Sequence, residues 1–250
     1  MSKYDDIITG DVVLLSSITP FAVLVKWGTA SEYNHVAVAV RIEQDFLPKI
    51  KVIKTGGILC LIEFNGDDFK NIITSEIHHG NRLVLFSDLI SKYKKISYRR
   101  LKSEHYTIIF EKNIEDFIYK YCNHITQMDK YTPIMNVFGI SVEQRNADEA
   151  PKFCSELTAK FYGDLIPLSI NIPYNKHLPS HFGGNRYNNI FEDQTTDAKD
   201  EHHCMMDFFD SPLFWIIVIL LIILLFIYCT RKIYKVYCDK NKEICFVSET

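Results

Sequence analysis

The sequence predicts an α+β domain followed by a C-terminal transmembrane helix. The alternating, β-branched segments lie in the first hundred or so residues, and two segments with helical periodicity follow them. Several strands followed by helices are typical of an α+β architecture with a central antiparallel sheet. The twenty residues at 211–230 carry no charge, and at about 1.5 Å per residue a helix of that length spans about 30 Å, the thickness of a bilayer's hydrocarbon core.

Six segments are predicted strands because they are short, apolar or alternating, and bounded by turn residues. The clearest is HVAVAVRI at 35–42, and Thr55-Gly56-Gly57 predicts a hairpin between the two segments that it separates. The apolar run at 20–28 fits either a helix or a strand by its length. The predicted strands are 10–17, 35–42, 49–54, 58–64, 82–86 and 96–101.

Two helices are predicted after the strands. Between 110 and 127 apolar residues recur on one helical face, and a second helix runs from about Pro151 to Tyr162, with the proline in its first turn. The apolar face of the first helix contains Ile114, Phe117, Ile118, Tyr121, Cys122 and Ile125.

The chain divides into four predicted parts. A folded domain at 1–182 is followed by an acidic, Asn-rich linker at 183–210, the transmembrane helix at 211–230 and a short basic tail at 231–250. Arg and Lys in the tail favour a cytosolic tail, whereas the lack of an export signal favours a cytosolic domain. We expect a single-pass tail anchor on a host or virion membrane, with the domain in the cytosol.

Composition and spacing argue against several other functions. The net charge is −3 and no basic stripe with interleaved aromatics is present, so nucleic-acid binding is not expected. The seven cysteines have no short repeating spacing, which favours free thiols over zinc ligands or disulfides. Adjacent ligands on a strand point to opposite faces, so His78-His79 and His202-His203-Cys204 are interpreted as surface loops. No metal or cofactor is expected.

Cys154 and His35 are the candidate nucleophile and base. Cys154 lies near the start of the second predicted helix, where the helix dipole lowers a thiol's pKa, although its helical face also fits a small core residue. His35 opens the strand 35–42 on the same face as Ala37 and Ala39. These small side chains leave room for another element, and we expect the helix that bears Cys154 to pack there.

Glu63 is the candidate orienting acid. It lies in a strongly apolar strand, where an unpaired carboxylate is costly, so a charged partner is expected. The imidazolium of His35 is one candidate partner, and Arg41, Arg99 and Arg100 are the others. Asn65 and Asp67 are weaker candidates for the orienting role.

The chain resembles the permuted papain-like cysteine enzymes of the NlpC superfamily, in particular the YiiX-like branch with its bacterial and poxvirus-type members. The resemblance rests on GDVVLLSS, NHVAVAV, IEFNG and FCSELTAKFY and covers about residues 8–182. It implies a circularly permuted papain-like domain, in which the order His, acid, Cys reverses that of papain. It also implies Cys154 as nucleophile, His35 as base and Glu63 as orienting acid. The chain is rich in Ile, Lys, Asn and Tyr, as proteins of AT-rich genomes are, and together with the resemblance to viral members this predicts a large DNA virus as the source.

Three functions follow as hypotheses. The first is hydrolysis or transfer of an acyl group from an ester, thioester or amide, with a membrane lipid as the substrate. The second is a cysteine peptidase or amidase acting on a peptide substrate. The third is a membrane-anchored structural protein in which the triad is inactive.

Overall fold

The computed structural model describes residues 4–44, 49–65, 69–77, 79–106, 108–123, 126, 129, 131–140, 143, 146, 148–166, 172–192, 196–200, 223 and 228. The chain divides into two compact units, Met1–Glu201 and His202–Thr250. Residues 223 and 228 are the described part of the second unit. The strands and helices with assigned bounds all belong to the first unit.

Seven strands in the described part of the chain form one antiparallel sheet with the order β5-β4-β2-β1-β6-β7, and β3 pairs with β2. The long central strands are apolar and buried on both faces, which places the sheet in the middle of the unit. The strands are β1 Val12–Ser16, β2 His35–Ile42, β3 Val52–Ile53, β4 Ile58–Asn65, β5 Gly80–Leu85, β6 Lys95–Arg99 and β7 Thr196–Asp200.

Each helix lies between two strands along the chain. The apolar run after β1 forms a helix, because the Thr19 side chain accepts a hydrogen bond from the Ala22 N–H at 3.2 Å and Pro20 occupies the first turn. The helices are α1 Pro20–Thr29, α2 Phe86–Leu89, α3 Ile108–Tyr121, α4 Tyr131–Val137, α5 Cys154–Leu165 and α6 Pro179–Gly183.

The alternation of β2 divides the core into two layers. Val36, Val38 and Val40 face a layer that includes residues of α3 and α5. Ala37 and Ala39 face the other layer, which includes Phe86 and Leu89 of α2 together with Tyr93. His35, at the start of β2, belongs to the alanine side by the same alternation.

Two local predictions need correction. The segments on either side of Gly56 and Gly57 do not form a hairpin with each other, because β3 pairs with β2 at Arg41↔Ile53 while β4 pairs with β2 at Arg41↔Leu59. The two segments therefore flank opposite edges of β2. The first of the two helices predicted after the strands, α3, also ends at Tyr121, earlier than predicted.

The compact unit extends beyond residue 182, where the sequence predicted a linker. Ile190 and Phe191 are buried in the core, and β7 adds a strand to the sheet by pairing with β6. Arg99 of β6 donates hydrogen bonds to the carbonyl oxygens of Gly184 and Glu192. These contacts attach the described residues between α6 and Asp200 to the domain.

The predicted fold class is wrong in its full form, a permuted papain-like domain followed by a transmembrane helix. The structure supports an α+β unit with an antiparallel sheet. Among the described residues, no helix is both long enough and apolar enough to cross a membrane. The longest of them, α3, has 14 residues, or about 21 Å, against a hydrocarbon core of about 30 Å. Residues 211–230, apart from 223 and 228, lie outside the described residues.

Candidate active site

Cys154 is the first residue of α5. Its predecessor Phe153 is extended, with φ −162° and ψ 166°, so the chain turns into the helix at the cysteine itself. The sequence predicted Pro151 in the first turn of the helix. In the structure Pro151 precedes the helix, which begins at Cys154. Cys154 is partly exposed, whereas the other two described cysteines, Cys60 and Cys122, are buried. Among these three cysteines, the one at the helix start is therefore the one that is not fully enclosed.

His35 is held at the start of β2 by neighbouring contacts. It pairs in register with Leu15 of β1. The preceding Asn34 accepts a hydrogen bond from the Ser17 N–H at 2.7 Å, which fixes the entry into the strand. The imidazole stacks on Tyr93 with 5.9 Å between ring centroids and 9° between planes. With 7% of its surface exposed, His35 has little freedom to rotate.

Glu63 connects His35 to a second cation. Its Oε2 lies 3.0 Å from Nε2 of His35. Its Oε1 accepts two hydrogen bonds from Arg82, from Nε at 3.0 Å and from Nη2 at 2.7 Å. Glu63 and Arg82 are direct cross-strand neighbours in the β4–β5 register, and both are fully buried. The carboxylate is therefore compensated on both oxygens, as a buried charge requires.

The thiol and the imidazole influence each other's pKa. Burial alone lowers the pKa of His35, but the charge and hydrogen bond of Cys154, followed by those of Glu63, raise it to about 9. Burial alone raises the pKa of Cys154, but the charge and hydrogen bond of His35 and the backbone N–H groups of Val36 and Ser155 lower it below its usual value. A lowered thiol pKa beside a raised imidazole pKa favours a thiolate–imidazolium pair near neutral pH.

Glu63 supports the charged form of His35. Burial acts to raise its pKa, yet the hydrogen bond and charge of His35, with those of Arg82, hold it below its usual value. An ionised Glu63 accepts a hydrogen bond from the Nε2–H of His35, so the ring's other nitrogen, Nδ1, is the one left for Cys154. The arrangement can activate a thiolate and deliver a proton.

The three residues predicted from the sequence are thus brought together, but by a different packing. The helix that bears Cys154 lies on the valine side of β2, with Leu157 and Phe161 in the same layer as Val36 and Val38. The prediction that this helix packs on the Ala37 and Ala39 side of β2 is therefore wrong. His35 and Cys154 are the first residues of β2 and α5, and a hydrogen bond joins their side chains.

Two residues of the site, Arg82 and Tyr93, were not among the residues predicted from the sequence. Arg82 lies at the start of a predicted strand, but 14 residues separate Asn65 from Gly80, so the sequence does not determine how this strand pairs with β4. The arginines considered as partners of Glu63 have other roles. Arg41 donates to the carbonyl oxygens of Ile7, Tyr4, Asp5 and Gly56, Arg99 donates to those of Phe182, Gly184 and Glu192, and Arg100 pairs with Asp11.

The remaining candidates also have defined places. Asn65 donates a hydrogen bond to the Tyr93 hydroxyl at 3.3 Å, so it contacts the ring that stacks on His35. His79 is exposed. Asp67, His78 and the His202-His203-Cys204 cluster lie outside the described residues. Within the described ranges, no group of three His, Cys, Asp or Glu side chains is arranged to hold a metal ion.

A second set of hydrogen bonds holds the start of α5 in place. The Ser155 hydroxyl donates to the carbonyl oxygen of His177 at 2.7 Å, and Asn81 of β5 donates to the carbonyl oxygen of Pro151 at 3.1 Å. His177 is fully buried, and its Nε2 accepts a hydrogen bond from the Tyr187 hydroxyl at 2.5 Å. The segment after residue 170 therefore helps to position the helix that carries Cys154.

No protein-family model matches the chain, and no curated protein matches it significantly. Among solved structures, the chain is similar to the metalloprotein yiiX of Escherichia coli O157:H7, assigned to DUF1105. The sequence identity is 13%, the TM-score is 0.41, and the match covers 82% of this chain and 92% of that one.

Proposed function

We propose that the chain is a thiol-dependent hydrolase or acyltransferase that acts through Cys154, His35 and Glu63. The observation that carries this proposal is the geometry around His35. Its ring contacts the thiol of Cys154 on one side and the buried carboxylate of Glu63, at 3.0 Å, on the other. A nucleophile, a base and a group that orients the base are the parts that covalent catalysis needs. The relationship to the NlpC-type enzymes that the sequence resembles belongs to the same proposal.

The reaction begins with the Cys154 thiolate and the His35 imidazolium. The sulfur attacks the carbonyl carbon of an ester, thioester or amide, and the carbonyl oxygen takes the negative charge. The first N–H groups of a helix lack intrahelical partners, so the backbone N–H of Cys154 is a suitable donor to that oxygen. When the intermediate collapses, the bond to the leaving group breaks and His35 gives its proton to that group.

A second half-reaction restores the enzyme. Neutral His35 takes a proton from water or from an acceptor hydroxyl, amine or thiol, whose heteroatom attacks the carbonyl carbon of the acyl-enzyme, and the bond from that carbon to the Cys154 sulfur then breaks. The acyl group leaves with that nucleophile, and Cys154 returns as a thiolate beside the imidazolium. Throughout the cycle Glu63 accepts the hydrogen bond from Nε2 of His35 and keeps the ring in one orientation.

Exposed apolar side chains favour an apolar acyl group as the substrate. Ile18, which precedes α1, is 65% exposed, and Trp27, near the end of α1, is 60% exposed. Gly28 of α1 lies against Val137 of α4, and Phe138 just after α4 is also exposed. Ser17, next to Ile18, is bonded to Asn34, the residue before His35. We propose that these exposed apolar side chains take the acyl chain of the substrate.

The test is capture of an acyl-enzyme. The purified protein is incubated with acetyl and octanoyl p-nitrophenyl esters and, separately, with a mixture of fluorogenic peptides, and is then quenched in acid for peptide mass mapping. We expect a hydroxylamine-labile octanoyl adduct on Cys154 that forms faster than the acetyl adduct. Cys154→Ser is the control, because it keeps the size of the side chain and removes the thiolate.

The outcomes separate the competing functions. A peptidyl adduct on Cys154, with peptide cleavage and no ester turnover, would favour the peptidase alternative. Equal rates with the acetyl and octanoyl esters would contradict the apolar substrate. If neither esters nor peptides leave an adduct or give turnover above the Cys154→Ser background, the chain is not an enzyme of this class.

A further inference from the structure

Arg82 is built into the sheet so that its guanidinium meets Glu63 with two nitrogens. The two residues are direct partners in the β4–β5 register, and neither has exposed surface. Nε and Nη2 of Arg82 both donate to Oε1 of Glu63, at 3.0 and 2.7 Å. Nη1 of Arg82 donates to the carbonyl oxygen of Phe69, and its guanidinium lies over the Phe69 ring at 5.5 Å. The guanidinium is therefore held in place independently of His35.

His35 changes charge during the proposed reaction, whereas Arg82 does not. The imidazole is charged while the thiolate is present and neutral after it has protonated the leaving group. An arginine side chain stays protonated in proteins. A carboxylate without exposed surface, facing a neutral imidazole alone, would take up a proton, because burying an unpaired charge is costly.

We infer that Arg82 is a positioning residue whose permanent charge keeps Glu63 ionised in both protonation states of His35. Glu63 can then accept the hydrogen bond from Nε2 of His35 at every step, and His35 recovers its proton affinity for the next cycle. Arg82 acts through Glu63 and does not touch the reacting atoms. This inference rests on the proposed chemistry of Cys154 and His35.

Other titratable groups surround the carboxylate. Tyr93 stacks on His35 and is buried with it, and Cys154 lies on the far side of the imidazole. Lys92, which is partly exposed and lies over the Phe69 ring at 4.8 Å, is the further cation whose charge reaches Glu63. Because solvent screens a partly exposed ammonium, Lys92 is expected to matter less than Arg82.

The experiment measures the rate of iodoacetamide alkylation of Cys154 against pH, mapped by peptide mass. We expect Arg82→Gln to raise the apparent pKa of the alkylation profile by about one unit or more, and so to slow alkylation about tenfold or more on the acid side of that profile. Lys92→Gln is the matched control and should change the rate less than about threefold, as a screened charge should. Arg82→Lys keeps the charge without the two-nitrogen geometry and should fall between wild type and Arg82→Gln.

A double-mutant cycle tests whether Arg82 works through Glu63. In a Glu63→Gln background, Arg82→Gln should change the alkylation rate by less than about twofold, because the residue it acts on is already neutral. Infrared difference spectra of the acyl-enzyme, in which His35 is neutral, should show a protonated carboxyl band in Arg82→Gln that is absent in wild type and in the double variant. The double variant carries no unpaired charge at this pair, so it keeps the test available if Arg82→Gln alone fails to fold.

Each result has a defined meaning. If Arg82→Gln alkylates at the wild-type rate, or if it slows the reaction equally with and without Glu63, the inference about Arg82 is wrong. An additional loss in the double variant relative to Glu63→Gln would also overturn it. If wild-type Cys154 reacts no faster than an ordinary cysteine at neutral pH, the proposed function itself fails, whatever the variants of Arg82 do.

Discussion

The carboxylate of Glu63 faces Nε2 of His35 across 3.0 Å, at a position where Glu63 has no exposed surface. A hydrogen bond between ionised groups is stronger without competing water than at the surface. The pair therefore fixes both the tautomer of His35 and the plane of its ring. The thiol of Cys154 then meets the ring nitrogen that Glu63 leaves available.

Glu63→Gln should lower the catalytic efficiency by about a hundredfold or more. Glutamine keeps the shape of the side chain but removes the charge that stabilises the imidazolium, and supported acid–base catalysis contributes on the order of a hundredfold to ten-thousandfold. The measurement is kcat/KM on the ester that wild type turns over. Unchanged turnover would remove the orienting role from Glu63 or transfer it to Asn65.

The same substitution should also lower stability. Arg82 loses its ionised partner while it remains fully buried, and leaving one partner of a buried pair unpaired costs about 3 kcal/mol or more. Urea unfolding should therefore show a lower midpoint for Glu63→Gln than for wild type. The matched comparison is Glu63→Gln with Arg82→Gln, in which no unpaired charge remains and part of the lost stability should return.

The activity should show a bell-shaped pH dependence. Its alkaline limb should fall as His35 loses its proton, near the raised pKa of about 9, because neutral imidazole cannot protonate the leaving group. Its acid limb should lie below the usual pKa of a thiol, since Cys154 is held as a thiolate by His35. Both limbs belong to the coupled pair and not to one residue.

His35→Gln is the control for the origin of these limbs. Without the imidazolium, burial raises the pKa of Cys154, and alkylation at neutral pH should fall. Cys60 provides an internal reference, because burial raises its pKa to about 12. If Cys60 is alkylated faster than Cys154 in the folded wild-type protein, the assignment of the nucleophile is wrong.

The sequence predicted the strand that begins at His35 with its observed bounds, because β-branched alternation is a local signal. It also placed Cys154 near a helix start and Glu63 in an apolar strand. It did not predict Arg82 as the partner of Glu63, because cross-strand register depends on loop geometry between β4 and β5. Register is a tertiary property, and a single sequence does not display it.

The face on which α5 packs was likewise beyond the sequence. Small side chains at Ala37 and Ala39 suggested room for the helix, but that side is filled by Phe86 and Tyr93. The valine side takes α5 because Leu157 and Phe161 supply a matching apolar surface. Both faces of β2 are apolar, so alternation alone did not distinguish them.

Gly10→Ala should destabilise the domain by about 2 kcal/mol. Gly10 has φ +90°, and a Cβ there would lie 2.7 Å from Cδ2 of Leu101 and 3.0 Å from Cε1 of Phe110. Left-handed backbone costs about 1 kcal/mol for a residue with a side chain, and overpacking adds about 1 kcal/mol or more. Urea unfolding at neutral pH is the measurement.

Gly56→Ala is the matched control for Gly10→Ala. Gly56 has φ +77°, but a Cβ there would meet nothing within 4 Å. It should therefore show the backbone cost of about 1 kcal/mol without the packing cost. Equal destabilisation by the two substitutions would mean that Leu101 and Phe110 move aside without cost.

His177 should make the domain less stable as the pH falls below neutral. Burial, followed by the charges of His181 and Arg186, lowers its pKa to about 4, against an ordinary value of 6.5. The neutral ring is also required by its contacts, since Nδ1 faces the carbonyl oxygens of Pro173 and Tyr174 while Nε2 accepts from Tyr187. Between pH 6.5 and 4 the unfolded chain binds a proton that the folded chain excludes.

The sign of the effect follows from this difference. A group whose pKa is lower in the folded state stabilises the fold above its unfolded pKa and loses that contribution as the pH falls toward its folded pKa. At pH 5 the loss from His177 is about 2 kcal/mol relative to pH 7, by the standard linkage relation. Urea unfolding of wild type and His177→Gln at the two pH values measures this loss.

His177→Gln should be less stable than wild type at pH 7 but should lose about 2 kcal/mol less on acidification. Equal losses in the two proteins would exclude His177 as the source. His181→Gln is the matched comparison, because the pKa of His181 is also lowered to about 4 by burial and by Arg186, so that each variant removes one of the two contributions.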